Sequence, residues 1–315
     1  HKYKYTELYT VFTWRKPLSN ENPNQEQMKD FLAQSKPAGN PLQQYMRTPQ
    51  IYITLPSKGK YWDPGSIEIP INGEVPILSM SSLDELTLKS PDALMNGQAV
   101  VDVIHSCVPC IKDAWGMPIT DLDTILIAIR IATYGENMEY SSSCPECKEF
   151  NEYEIDLKRF LEAKVDLSLY DSPVVWENLI FKLRPQTYRI TNNNNLEVFE
   201  QQRIVTVVND QSLDAEIKVQ KFNEIFKKMT ELTMRNITQS IEYIETNGEK
   251  VTNRIYINDF IANSDVKAFK DIKDRHSQLD NSVPDKTVHT TCPDCQHKYV
   301  IPFTFDHANF FALAS

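Results

Sequence analysis

The sequence predicts an α+β fold: a small antiparallel β unit with helices, closed by a split zinc-ribbon-like site, and a mostly helical insertion. Two observations carry most of this. Tyr140–Ile155 (YSSSCPECKEFNEYEI) and Val288–Phe303 (VHTTCPDCQHKYVIPF) each show small polar residues, then Cys-Pro-acid-Cys, then a strand-like run. Cys147 and Cys292 stand 145 positions apart. Glycine supplies the third observation. Six of the 8 glycines (Gly59, Gly65, Gly73, Gly97, Gly116, Gly135) fall between 59 and 135. That region should be rich in turns, and the rest helix or plain strand.

A C-P-x-C turn points both thiolates at one place, with backbone N–H groups directed at the sulfurs. Two such half-sites complete a tetrahedral four-thiolate site, the geometry that suits Zn²⁺. Cys144, Cys147, Cys292 and Cys295 are therefore the candidate ligands of one Zn²⁺. Four thiolates leave no open coordination position, so the ion would be structural. The segments carrying them must then meet, and the chain between becomes an excursion. The expected organisation is an N-terminal arm and linker over 1–45, an α+β domain over 46–165 plus 283–315, and an inserted domain over 166–282. The competing reading of each pair is a reduced, unligated dithiol at a strand end, or a redox dithiol.

Taken in order, Asn24 can cap a short helix over Gln25–Ala33, with Met28, Phe31 and Leu32 on one face. Ser35–Pro41 reads as a linker. Ile51, Ile53 and Leu55 alternate as a strand, and a turn-rich loop follows. Ile67, Ile69 and Ile71 alternate as a second strand; Asn72-Gly73 turns it into a return strand over Glu74–Leu78. Ser81–Lys89 reads as a helix. Ser90-Pro91-Asp92 starts another that runs to about Ser106. Thr120–Asp123 resembles a capping box, and Leu122, Ile125, Leu126 and Ile129 give the helix an apolar face that Gly135 ends. Beyond Leu157, Val174–Trp176 and Leu179–Arg184 form a hairpin, and Gln186 to about Gln278 is largely helical. Ser212 can cap a long helix bearing Phe222, Ile225, Phe226, Met229 and Leu232. Asn247-Gly248 marks a turn between Ile241–Ile244 and Val251–Ile255. Phe260, Val266, Phe269 and Ile272 suggest a last helical segment. Asn192–Asn195 reads as a loop or a frayed helix turn, with a recognition loop as the alternative.

Composition narrows the function. Hydrophobic residues at 41% and charged residues at 24% suit a globular chain with a real core. The net charge of −10 argues against a general polyanion binder. No apolar stretch is long enough for a membrane span, and no secretory leader is visible, so metal binding outranks a disulfide framework. The chain opens on His1 rather than Met, so its natural start is expected upstream. Cys107 and Cys110 lack a following strand; core packing is favoured over a second metal or redox role. His289 and His297 flank the second knuckle and read as surface residues, with replacement of a cysteine ligand as the alternative. Asp84, Glu85, Asp121 and Asp123 read as helix-start acids. No H-E-x-x-H, G-x-S-x-G, G-x-G-x-x-G or Walker A pattern is present, so neither catalysis nor a small-molecule substrate has residues to rest on.

Some blocks carry more than periodicity. Leu55–Gly59 (LPSKG), Ser90–Leu94 (SPDAL) and Ala128–Gly135 (AIRIATYG), in that order before the first knuckle, resemble the baseplate hub subunit and hub assembly family of T-even-type contractile-tailed bacteriophages. The resemblance is specific over about 40–160 and looser over 161–315. It implies a non-enzymatic virion or assembly protein whose partners are other baseplate or tail proteins. It would be located in the tail baseplate, or in the host cytoplasm during assembly. The alternative is a zinc-ribbon nucleic-acid-binding protein, but Glu149, Glu152, Glu154 and Asp156 beside the knuckle would repel phosphate.

Overall fold

The computed structural model describes residues 41–90, 97–163, 165–208, 215–281 and 287–302. The chain divides into two units, His1–Arg47 and Thr48–Ser315. In the first, the described residues hold one 3₁₀ turn, Gln43–Tyr45. The helix expected over Gln25–Ala33 lies outside the described residues, as do positions 35–40 of the linker.

The second unit begins with β1 (Pro49–Ile53), paired antiparallel with β2 (Val75–Leu78). The strand expected through Ile67, Ile69 and Ile71 does not form. Ile67 makes one bridge to Ile111, and the Glu68 N–H donates to the Cys110 carbonyl. Pro70 has no N–H to extend that ladder, and Ile71 points to solvent. Asn72-Gly73 does turn the chain, with Gly73 at φ 77°. The turn leads into β2, whose partner is β1 rather than the segment just before it.

The helix α1 (Ser82–Leu88) has a complete capping box between Ser81 and Asp84. Asp84 also accepts from the Ser106 hydroxyl, at 3.0 Å, on α2 (Gln98–Cys107). The helix start expected at Ser90–Asp92 falls mostly outside the described residues; α2 begins from Gly97, at φ 77°. The helix α3 (Ile119–Tyr134) starts two residues earlier than expected. Pro118 holds the N-cap position, and Thr120 lies inside the first turn. Leu122, Ile125, Leu126 and Ile129 are buried as expected, and so are Ile127, Ala128 and Ile131. The helix is therefore enclosed on most sides, and Gly135 ends it at φ 94°. Apolar side chains from β1, β2, α2 and α3 form one core, joined by Met138, Ile155, Leu157, Val288 and Ile301. The last two come from the far end of the chain.

Two hairpins carry the cysteines in their turns. In the first, β3 (Asn137–Ser143) pairs with β4 (Phe150–Asp156). Short helices α4 (Lys158–Glu162) and α5 (Ser168–Asp171) lead to a four-stranded antiparallel sheet. Its order is β5 (Val174–Trp176), β6 (Leu179–Leu183), β7 (Ile241–Thr246) and β8 (Glu249–Val251). The two expected hairpins are thus fused edge to edge through β6 and β7, but the second returns over Glu249–Val251 rather than the expected Val251–Ile255, whose last two residues open a helix capped by the Asn253 side chain. Between them run α6 (Tyr188–Val208) and α7 (Ala215–Gln239); after them come α8 (Arg254–Asn263) and α9 (Val266–Asn281). The chain closes with the second cysteine hairpin, β9 (Thr287–Thr291) and β10 (Lys298–Pro302).

Phe181, Ile241, Ile257 and Ile272 anchor a second core between this sheet and its helices. Burying each such side chain contributes about 1.5–3 kcal/mol. The four asparagines Asn192–Asn195 are interior to α6, which corrects the expected loop. Asn194 donates to Asn236 and Gln239 on α7, at 3.2 and 3.0 Å. Helix packing against α7 thus satisfies an amide whose type alone favours turns. The expected cap at Ser212 lies outside the described residues.

Candidate metal centre

The two cysteine segments fold alike. In the first, the Cys144 N–H donates to the Glu149 carbonyl, and the Lys148 N–H returns to the Cys144 carbonyl, at 2.9 and 3.0 Å. In the second, the Cys292 N–H donates to His297 and the Gln296 N–H to Cys292, again at 2.9 and 3.0 Å. Lys148 and Gln296, the residues after the second cysteine of each pair, take φ of 64° and 61°. This left-handed step lets a tight turn close while the hairpin strands stay in register.

Each turn also directs amides at sulfur. The Glu149 N–H points to the Cys147 sulfur, and the His297 N–H to the Cys295 sulfur. The Cys295 N–H points at the Cys292 sulfur and is the main reason that thiol is held down to about 7, against desolvation; the Asp294 N–H adds to it. Desolvation and the neighbouring thiols outweigh the Glu149 amide and push Cys147 up to about 12. Crowded thiols share protons this way, because a second negative charge in so small a space is unfavourable. A cation at the centre reverses that logic and deprotonates its ligands outright.

All four sulfurs of Cys144, Cys147, Cys292 and Cys295 lie within 4.8 Å of one another. Across the two hairpins, Cys144 and Cys295 are 3.6 Å apart and Cys147 and Cys292 3.7 Å. A tetrahedron with metal–sulfur bonds of about 2.3 Å has edges of about 3.8 Å. The donor set therefore fits a tetrahedral thiophilic ion in number, type and spacing. Cys144 and Cys292 are buried, whereas Cys147 and Cys295 face outward.

The surroundings hold the hairpins together. The buried Asn151 amide donates to the Cys292 sulfur at 3.5 Å. The Tyr153 and Tyr299 hydroxyls are 2.9 Å apart, one on each hairpin. His297 stacks beside Tyr299, with centroids 6.3 Å apart, and is not among the clustered donors; neither is His289. Cys107 is fully buried in the first core and Cys110 half-buried beside it, with its thiol raised by burial. Neither joins the cluster.

Residue-type reasoning missed one polar centre. Asp121 is fully buried, and its role exceeds that of a helix-start acid. Its carboxylate accepts from the Ser57 N–H at 2.9 Å, from the Ser57 hydroxyl, and from the Trp62 indole N–H at 2.9 Å. Burial raises its pKa, opposed by the Ser57 and Trp62 donors. The Leu55–Gly59 block is thereby tied to α3. The only sequence signal was the pairing of a turn-rich Ser-Lys-Gly loop with a distant acid, which periodicity does not reveal.

Residues 77–312 match the family described as T4 bacteriophage base plate protein, about three quarters of the chain. The chain belongs to that family. The match takes in both cysteine hairpins and everything between them, so membership extends well past the blocks that carried the resemblance in sequence. No curated protein and no solved structure gives a significant match. This base plate protein is accordingly a structural component of a phage tail, placed in the virion's baseplate, with other tail proteins as its partners. Among the described residues no helix is long and apolar enough to cross a membrane.

Proposed function

We propose that this base plate protein serves in the hub of the baseplate or in its assembly, acting through protein–protein contacts, with one structural Zn²⁺ held by Cys144, Cys147, Cys292 and Cys295. The observation that carries the zinc reading is the convergence of four sulfurs from two hairpins 145 positions apart. The ion contributes no chemistry on a substrate. Its role is to close the chain on itself, because a structural ion's binding free energy adds directly to folding.

The hub reading rests on the Leu55–Gly59, Ser90–Leu94 and Ala128–Gly135 blocks. Leu55 and Ser57 are buried, and Ala128, Ile129 and Ile131 lie in the first core. The first and third of these blocks therefore act by shaping the fold that presents a contact surface. The two cores support the domain organisation we propose, in which residues 46–165 and 283–315 make up the clasped domain and 166–282 the insertion. Among the described residues of the insertion, only Tyr188 belongs to the first core; its ring stacks on Trp115 with centroids 5.3 Å apart. Chain closure would take place in the host cytoplasm, before the protein enters the particle.

Affinity purification of the tagged chain from an assembling system tests this. Co-purification of central hub proteins is the expected result. Recovery of peripheral baseplate proteins without hub proteins would contradict the hub assignment.

A further inference from the structure

The two cysteine hairpins share one backbone pattern but differ at a matching side chain. Asn151 on β4 and Tyr299 on β10 each stand four residues after the second cysteine of their knuckle. Each pairs with a small hydroxyl residue of its own hairpin, Ser142 and Thr290. The Tyr299 hydroxyl meets Tyr153 of the other hairpin, away from the sulfurs. Asn151 is 7% exposed, and its amide nitrogen crosses to the Cys292 sulfur at 3.5 Å. The same nitrogen donates to the Glu149 carbonyl at 3.3 Å, which also accepts the Cys144 N–H. A side-chain amide has two N–H donors, and here they meet one acceptor on each hairpin. Flipping the amide would set its oxygen against a carbonyl and a sulfur, both electron-rich, so the nitrogen faces them. Among the described residues no side-chain amide donates to the other buried sulfur, that of Cys144.

We propose that Asn151 is a positioning residue of the metal centre, which stabilises Cys292 as a thiolate ligand and makes tight metal binding depend on closure of the two hairpins. This rests on the four-cysteine zinc site proposed above. Four thiolates around a divalent cation leave net negative charge in a partly buried space. A donor aimed at one sulfur offsets part of that charge and favours thiolate over thiol. Burial keeps water from competing for the amide and strengthens the bond. Donor and acceptor lie 141 positions apart, on opposite hairpins, so the bond exists only once the chain has closed. The backbone N–H groups aimed at the sulfurs are different, because each is supplied within its own knuckle. Partners outside the ligand shell that orient and stabilise metal ligands commonly set affinity in this way.

Zinc affinity of the full chain by chelator competition tests this, together with the absorption spectrum of the cobalt-loaded chain. Asn151→Leu removes the donor and keeps a side chain of similar length. It should weaken zinc binding about 10–100-fold. It should also shift the sulfur-to-cobalt charge-transfer band, which reports charge on the sulfurs rather than overall stability. Tyr153→Phe removes the other polar contact between the hairpins and should leave that band in place. The unsubstituted chain loaded with a magnetic cadmium isotope gives a reading that needs no variant to fold. Nuclear magnetic resonance should show scalar coupling from the metal, through the Cys292 sulfur, to the Asn151 amide protons. Unchanged affinity with an unmoved band in Asn151→Leu, or no cadmium coupling to that amide, would overturn the proposal and leave the four-cysteine site standing. An unsubstituted chain that binds no thiophilic metal would overturn both.

Discussion

Replacing Asp121 by alanine removes the acceptor for three donors at once. The Ser57 N–H and the Trp62 indole N–H, each 2.9 Å from the carboxylate, lose their partner in a region where Ser57 is 2% and Trp62 9% exposed. Each buried donor left unsatisfied costs about 1–3 kcal/mol. The Ser57 hydroxyl also loses its acceptor, but it can rotate. Relief of the carboxylate's own desolvation, which raises its pKa, offsets part of the loss. The net expectation is a loss of about 2–4 kcal/mol. Urea unfolding of zinc-saturated protein would show it as a lowered midpoint at unchanged slope. Asp121→Asn should lose less, because one oxygen remains to accept. The pH dependence has a definite sign. The native state binds the Asp121 proton more tightly than the unfolded chain does, so its contribution falls as pH rises from about 3.9 through the raised native value. Asp121→Asn does not titrate and should therefore gain on the wild type across that window. A loss below about 1 kcal/mol for Asp121→Ala would show that the Ser57–Trp62 loop is not held by this carboxylate.

Cys144→Ser and Cys292→Ser should destabilise the protein to the same extent, and the double variant hardly more, because each breaks one shared cluster; thermal unfolding of all three would show whether the hairpins act independently. Cys107→Ala should leave metal content unchanged, since its thiol lies in the first core and outside the cluster; a fall in bound metal would make it a ligand. Gly97→Ala should cost about 2 kcal/mol or more by denaturant unfolding. Gly97 sits at φ 77°, and its added Cβ would stand 2.6 Å from the Asn192 side-chain oxygen; an unaffected midpoint would mean that α6 is free to move aside there.

What could be read in advance depended on how local its cause was. The helix over Ser81–Lys89, the stop at Gly135 and the turn at Asn247-Gly248 are each set within a few residues, and the sequence shows them directly. The cysteine knuckles are long-range, yet they were legible because the C-P-x-C chemistry repeats and one half-site is incomplete without the other. Elsewhere the pattern was ambiguous. Ile67, Ile69 and Ile71 alternate as in a strand, but Pro70 and the neighbouring Cys110–Ile111 backbone leave that segment a single bridge. Thr120 looked like a cap because its hydroxyl type suits one, while Pro118 is already pre-set for the position. Asn192–Asn195 looked like a loop or a frayed helix turn because asparagine alone disfavours helix; the partners of Asn194 on α7 lie more than 40 residues away. Asp121 was misjudged for the same reason, since both residues that give it its role, Ser57 and Trp62, precede it by about 60 positions.

One ion is proposed to join the two distant hairpins. Elemental analysis of natively purified protein measures this directly, with the zinc content of Cys144→Ser and Cys292→Ser beside it. One equivalent of zinc per chain is expected, lost in both variants. Native protein without bound metal, or zinc retained in full by either variant, would contradict a shared four-cysteine site.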